Sequence, residues 1–418
     1  MPIRNWLFIG LFLLAQTGQS NASDDVFIGD VPLPRTVLTQ ITALSNHYEA
    51  WHGFWVGRWD SEMNHILYVD SIDESGRVTA VYAIGENRRR RNKGRWFPVT
   101  GTIEHNTMKI SHKRFDATYR LNGIGRLQGI FADQLGFAVL SKQKLIELHN
   151  RGLQPAWSSG SPTMVKTNLK EDGKMVSLET IIYRPPGKGP FPLAVVNHGS
   201  TGNGSDPSIF RHTWRNDWLA ELLTQKGYIV AFPQRRGRGK SDGLYDEGFS
   251  AERAKGYSCD ADITLAGAER ALKDIRSIIS ALKQREDVSS APVLLAGQSR
   301  GGILSVAYSG RYPNDVSGVV NFVGGWLGHL CPTMDKINRK LFVEGSKFST
   351  TGLWIYGVGD SFYASTHTKA NHKAYLEAGG KAKFLEVRMK NGGNGHYALY
   401  APSLWTSELN RYLDDLDN

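Results

Sequence analysis

A chain of 418 residues, 40% hydrophobic and 22% charged, is long enough for two domains with their own cores and too apolar to be intrinsically disordered. Lysine and arginine exceed aspartate and glutamate by 50 to 40, a formal charge of +10, which favours anionic surroundings without naming a partner. No helix-turn-helix, zinc-finger or RNA-binding-sheet signature accompanies that charge, which argues against a specific nucleic-acid reader.

The chain begins with Met1-Pro-Ile-Arg4, a short positive start. Residues 6–15 (WLFIGLFLLA) form an apolar run too short to span a bilayer, and Ser20-Asn21-Ala22 offers the small side chains a signal peptidase reads. The pattern predicts a cleaved secretory signal over 1–22, with an uncleaved anchor as the alternative. The expected protein is periplasmic or secreted, with no transmembrane segment after signal removal. Loss of Arg4 takes the charge from +10 to +9.

Residues 23–154 read as an antiparallel β domain. HILYVDSI (65–72), RVTAVYAI (77–84), FPVTGTIE (97–104), MKISH (108–112), DATYRLNG (116–123) and GRLQGIFA (125–132) alternate apolar and polar residues between turn signals. Many short strands with almost no helix predict a small barrel or sandwich. Residues 37–51 are expected to form a covering helix. Trp51, Trp55, Trp59 and Trp96 are read as core rather than as a ligand box. Arg88, Arg89, Arg90 and Arg91, with Lys93 and Arg95, form a basic run: a solvated hairpin loop or a contact for an anionic surface.

Residues 155–418 read as a mostly parallel, doubly wound α/β sheet, with the junction near the SSGSP stretch at 158–162. Apolar runs at 178–185, 191–199, 228–234, 292–297, 316–324, 352–359 and 383–390 suit strands covered on both faces. Leu265, Ala268, Leu272, Ile275, Ile279 and Leu282 carry the spacing of a helix between them.

The chemistry gathers around GQSRGG (297–302). Gly297-Gln298-Ser299-Arg300-Gly301 is G-x-S-x-G between a buried strand and a helix, the setting in which a serine on a sharp turn is exposed as a nucleophile. An acid and a histidine should follow at later strand ends. Asp360 ends GLWIYGVGD, 61 residues on (360 − 299), and His396 follows NGGNG after the next strand, 36 residues later (396 − 360). Residues Asn197-His198-Gly199-Ser200-Thr201, after an early strand, supply an oxyanion loop. Its amide from Ser200 or Thr201 would act with that of Arg300, with His198 organising the loop. The Arg300 side chain either faces solvent or helps select an acidic substrate.

His367 and His372 are expected on the solvated face of a helix, and Asp242 and Asp335 are the competing carboxylates. Residues 246–258 and 326–348 read as insertions flanking the site, with Trp326 and His329 in the pocket. Gly239-Lys240-Ser241 fails the phosphate-loop pattern, because position 234 is glutamine. No metal-ligand spacing occurs, and nothing calls for a cofactor. In an exported protein Cys259 and Cys331 are either bridged, tying two loops near the sheet edge, or two free thiols.

YRPPGKGPFPLAVVNHG (183–199), FPQRRGRGKSDG (232–243) and GQSRGG together resemble the α/β-hydrolase superfamily. Within it they look like dienelactone-hydrolase-type proteins and the catalytic domains of prolyl-oligopeptidase-like enzymes. The resemblance covers about residues 165–415 and implies Ser299, Asp360 and His396 as a triad. A serine where true dienelactone hydrolases generally carry cysteine implies broader ester or peptide hydrolysis. The first domain lacks β-propeller repeats. The expectation is an exported serine esterase acting on a small ester or peptide-like substrate. The alternatives are a serine exopeptidase or amidase, and a binding protein whose β domain carries the function.

Overall fold

The structure is a computed structural model that describes residues 25–38, 48–59, 63–86, 93–121, 125–131, 137–144, 160, 162–389 and 392–416. The 1–22 signal, Arg88 to Arg91, and most of the 37–51 and 158–162 segments lie outside the described residues.

The first half is a closed barrel of eight antiparallel strands: β3 (Gly53–Trp59), β4 (Asn64–Ile72), β5 (Arg77–Ile84), β6 (Arg95–Glu104), β7 (Thr107–His112), β8 (Phe115–Leu121), β9 (Arg126–Phe131) and β10 (Phe137–Gln143). β10 closes it on β3, so no edge is left unpaired. Trp51, Trp55 and Trp59 are core, as expected; Trp96 is half-buried and donates to Asp25 Oδ1 at 2.9 Å. The outer face is covered by a hairpin, β1 (Asp25–Ile28) and β2 (Val31–Pro34), whose Ile28, Val31 and Leu33 pack on Phe54, Val56 and Ile66. Of the expected 37–51 helix, residues 39–47 lie outside the described residues; Arg35–Leu38 form a short 3-10 helix and 48–51 a turn.

The second half is an eight-stranded sheet of β11 (Pro162–Glu171), β12 (Lys174–Tyr183), β13 (Leu193–Asn197), β14 (Ile229–Pro233), β15 (Val293–Gln298), β16 (Val316–Phe322), β17 (Gly352–Gly357) and β18 (Ala382–Val387). The order is β11-β12-β14-β13-β15-β16-β17-β18, antiparallel as far as β14 and parallel beyond it. Every residue of β13, β14, β15 and β17 is buried, the signature of a sheet covered on both faces. The covering helices are α1 (Asp217–Gln225), α2 (Ala261–Leu282), α3 (Arg300–Arg311), α4 (Met334–Glu344), α5 (Ser365–Glu377) and α6 (Thr406–Leu416). α2 carries the expected periodic face and is capped by Asp260, which accepts the Asp262 and Ile263 amides. Among the described residues no helix is long and apolar enough to cross a membrane.

The barrel stands on α1. Arg58 of β3 reaches Asp217 at 3.3 Å, and Arg126 of β9 pairs with the fully buried Glu221. A cleft of about 810 Å³ opens at this junction between Thr118, Arg120 and Gln128 of the barrel and Trp218, Lys226 and Asn410; neither Ser299, Asp360 nor His396 lines it.

Candidate active site

The register of the parallel strands brings β13, β15, β16 and β17 to an end at one edge of the sheet, where an open α/β sheet gathers its site. Ser299 sits there, between β15 and α3, with φ 54° and ψ −120°. Non-glycine residues pay for a positive φ, and among the described residues only His105, Asp172, Ser299 and Val323 adopt one. Two of those four meet at this point: the Ser299 amide donates to Phe322 O, next to Val323. The turn is possible only with small flanking residues. A Cβ on Gly297 would come within 2.2 Å of Gly301 O, and one on Gly301 within 2.0 Å of Asn197 O. The Arg300 amide lies at the first turn of α3, where N–H groups lack helical partners and the helix dipole is positive.

Asp360 and His396 come together as expected. His396 Nδ1 lies 2.9 Å from Asp360 Oδ2 and 3.1 Å from Oδ1, with the Asp360 side chain 1% exposed. Two backbone amides, of Phe362 and Tyr363, donate to Asp360 Oδ1 at 2.7 and 3.1 Å. Asn394 joins the two loops, since its Oδ1 accepts the amides of both Ser361 and His396 at 3.0 Å. Close approach of the histidine loop to β17 requires a glycine on each side: a Cβ on Gly357 would meet Gly395 O at 2.2 Å.

Tyr363 packs between this pair and the elbow: its ring centre lies 5.6 Å from that of His396, and it lies against Gly325, whose amide donates to Ser299 O at 3.2 Å. Phe362 covers His396 from 4.5 Å and is partly exposed, as is Tyr397 beside it. Neither Tyr363 nor Asn394 was singled out in the sequence, where DSFYAS and NGGNGH carry no pattern beyond the acid and the histidine.

The loop after β13 lies against the elbow: a Cβ on Gly199 would be 3.2 Å from Ser299 Cβ. His198 organises it, as expected. Its Nδ1 reaches Gly199 O at 2.8 Å, while Nε2 accepts the Arg235 amide at 3.1 Å. Burial, then the charges of Arg235 and Arg238, push its imidazole well below the usual range. Of the two proposed oxyanion donors, Thr201 gives its amide to the Tyr257 hydroxyl at 3.2 Å.

Arg300 differs from both sequence readings of its side chain. It is 3% exposed and faces neither solvent nor an open pocket. Its Nε donates to Trp326 O at 3.0 Å and its NH1 to Glu247 O at 2.9 Å, with the guanidinium over the Tyr257 and Trp326 rings. Glu247 also accepts from Arg235 and Tyr245. Burial alone would raise its carboxyl, but Arg235 and Arg300 outweigh that and hold it below the usual carboxylate range.

Other expectations also change. Trp326 is 1% exposed, a buried wall residue rather than a pocket residue, whereas His329 is exposed. His367 is not solvated: its Nδ1 is 2.6 Å from Asp335, and its Nε2 accepts from Asn338 and Asn371. His372 reaches Ala382 O at 3.0 Å. Asp242 accepts the Ser177 amide at 2.8 Å. Cys259 and Cys331 are bridged, with Cα atoms 5.2 Å apart. The bridge ties the segment after β14 to the segment after β16. Among the described residues no group of three or more His, Cys, Asp and Glu could hold a metal ion.

A profile of the family described as serine aminopeptidase, S33 matches residues 209–328. Solved structures similar to the chain include Est1E from Butyrivibrio proteoclasticus with ferulic acid bound, at 16% identity and TM-score 0.39, covering 57% of this chain and 96% of that one. The Pyrococcus furiosus esterase Pf2001 matches at 15% identity and TM-score 0.44, covering 62% and 92%. A putative dienelactone hydrolase from Klebsiella pneumoniae subsp. pneumoniae matches at 17% identity and TM-score 0.40, covering 60% and 98%. With its sheet order, its strained strand-to-helix serine and the matched profile, the C-terminal half of the chain has the architecture of an α/β-hydrolase fold.

Proposed function

We propose that the protein is an exported serine hydrolase cleaving carboxylic esters. The observation that carries the reading is the Asp360–His396 pair, held by both carboxylate oxygens at 2.9 and 3.1 Å, together with the strained Ser299 at φ 54° on the strand-to-helix turn. In this reading Asp360 fixes the proton on Nδ1, so Nε2 is the base. Ser299 Oγ attacks the carbonyl carbon as its proton passes to Nε2, and the amides of Arg300 and Ser200 hold the oxyanion. The imidazolium protonates the leaving alcohol. Water, deprotonated by His396, then attacks the acyl-enzyme and releases the acid and Ser299.

Esters are favoured over peptides because an exopeptidase needs a charge free to hold a peptide terminus. Glu247, the carboxylate beside Arg300, is spent on Arg235, Arg300 and Tyr245. The half-open rim of Phe362 and Tyr397 suits an apolar or aromatic group on the substrate. The second reading, an aminopeptidase or amidase, draws on the matched family profile. The signal-like N-terminus and the Cys259–Cys331 bridge both suit an oxidising compartment, periplasmic or outside the cell.

A fluorophosphonate probe tests the class. It should label the parent protein and leave Ser299→Ala unlabelled. Equal labelling of both, or of neither, sinks the serine-hydrolase reading and leaves a binding role for the barrel. Short-chain nitrophenyl esters against aminoacyl nitroanilides then separate the two hydrolytic readings.

A further inference from the structure

The cleft at the junction of barrel and sheet is built from three surfaces, each in the period of its element. Ala117 and Tyr119 of β8 point into the barrel core, so Thr118 and Arg120 face outward. Strand register then sets Arg120 beside Thr107 of β7 and Gln128 of β9, with Thr118 beside Ile130. Opposite them, α1 presents Trp218, Leu222 and Gln225 at helical spacing, and α6 presents Thr406, Asn410 and Asp414. The volume of about 810 Å³ falls within the range of about 300–1,000 Å³ usual for small-molecule sites. Most of the lining is polar and uncharged. Among the described residues, the side chains of Thr118, Arg120, Gln128, Ser403 and Asn410 have no hydrogen-bonding or ionic partner. Lys226 pairs with Asp414, and Gln225 donates to Glu221 Oε1 at 3.0 Å. Among the described residues lining the cleft, Arg120 is therefore the one cation left to a ligand.

That composition selects a ligand class. Amides and hydroxyls both donate and accept, so they match a ligand whose own groups do both. A lipid tail would cover them and leave them unpaired, which is unfavourable. A nucleic-acid strand calls for several cations in place of one. A sugar meets every condition: hydroxyls for the amides, C–H ring faces for the apolar surface of Trp218, Leu222 and Ile130, and, in an acidic sugar, a carboxylate for the Arg120 fork. The formal charge of +10 attracts such a ligand. We propose that the cleft is a saccharide-binding site that takes uronate units of an acidic oligosaccharide or polysaccharide, with Arg120 on the carboxylate and Gln128 and Asn410 on ring hydroxyls. The site is separate from Ser299, Asp360 and His396, none of which lines it, and it does not depend on the hydrolase reading.

Titration calorimetry on the full chain tests this, with trigalacturonate, trimannuronate and triglucuronate as probes and the neutral galactose trimer beside them. At least one acidic trimer should bind, and more tightly than the neutral one. Arg120→Gln should weaken that binding about tenfold or more, the effect of losing a hydrogen bond to a charged group, and leave the neutral trimer unaffected. Gln128→Leu and Asn410→Leu should each weaken both kinds of sugar several-fold. All three variants should melt with the parent, since their side chains hold nothing else in place. Failure of every acidic trimer to bind the parent overturns the proposal. So does binding that survives all three substitutions, which would put the sugar elsewhere. Inorganic phosphate or a short oligodeoxynucleotide bound more tightly than any sugar, and lost in Arg120→Gln, would make the cleft an anion site and overturn the saccharide assignment. Because binding is measured rather than turnover, a chain that fails the fluorophosphonate test still decides this question.

Discussion

The guanidinium of Arg300 lies 3.6 Å from the ring centre of Tyr257, and the hydroxyl of that ring accepts the Thr201 amide at 3.2 Å. One side chain therefore joins the residue that follows the elbow serine to the loop after β13. The Tyr257 hydroxyl also meets Thr201 Oγ1 and the Tyr245 hydroxyl, each at 2.8 Å. Tyr245 in turn donates to Glu247, which pairs with both Arg300 and Arg235. These residues beneath the candidate site thus form a connected polar network that holds the loop after β13 to the start of α3.

Tyr257→Phe tests that network. The ring still stacks on Arg300, but the buried Thr201 amide and hydroxyl and the Tyr245 hydroxyl lose a partner. Leaving buried polar groups unsatisfied costs about 1–3 kcal/mol. Denaturant unfolding should show a loss of that size, and kcat should fall several-fold with KM little changed, because the loop bearing Ser200 loosens. Parental stability together with parental kcat would show that the hydroxyl organises nothing.

Two buried histidines cost stability as the pH falls below 6.5. Burial pushes His65, inside the barrel, from 6.5 down to about 3, outweighing its hydrogen bond to Ala83 O. His198 is depressed by burial and by Arg235 and Arg238. Above pH 6.5 both are neutral in the folded and unfolded states and add no pH dependence. Below 6.5 the unfolded chain takes up protons that the folded protein refuses, so stability falls with pH by about 1.4 kcal/mol per unit for each histidine. For His65 the loss continues to about pH 3. Unfolding free energies at pH 7.5, 6.0 and 5.0, followed by tryptophan fluorescence, should decline in that sense. Asp274, which burial raises to about 6, works against the two histidines below that pH, and His65→Gln should lessen the decline by about 1.4 kcal/mol per unit. A slope unchanged by that substitution would assign the acid loss elsewhere.

The framework of the site was legible because backbone geometry dictates it. A positive φ at Ser299 demands glycines two residues before and after it, and parallel strands leave Asp360 and His396 at one edge. What remained hidden depends on side chains meeting across long sequence separations. Arg300 looked like an exposed cation because nothing near it signals Glu247, 53 residues upstream, or the rings of Tyr257 and Trp326. His367 looked solvated because its partners Asp335 and Asn338 lie on another helix. The β1–β2 hairpin escaped notice since each strand has only four residues, too few for a period to show.

The Cys259–Cys331 bridge offers the last test, because it joins the two segments that clasp Arg300. Tyr257 lies two residues before one cysteine and Trp326 five before the other, and Thr333 Oγ1 donates to Cys259 O at 2.6 Å across the same gap. Closing a loop across 72 residues restricts the unfolded chain by about 4 kcal/mol on the chain-entropy account. The double variant Cys259→Ser/Cys331→Ser should therefore melt well below the oxidised parent, and reduction of the parent should reproduce that shift. Activity should separate the bridge's two effects. If the bridge only stabilises the fold, the variant at low temperature keeps the parental kcat. If it also holds the Tyr257 and Trp326 walls against Arg300, kcat falls several-fold even where the variant is fully folded. We expect the second outcome, because Tyr257 carries both the stack on Arg300 and the bond to Thr201, and a shift of its segment disturbs both at once.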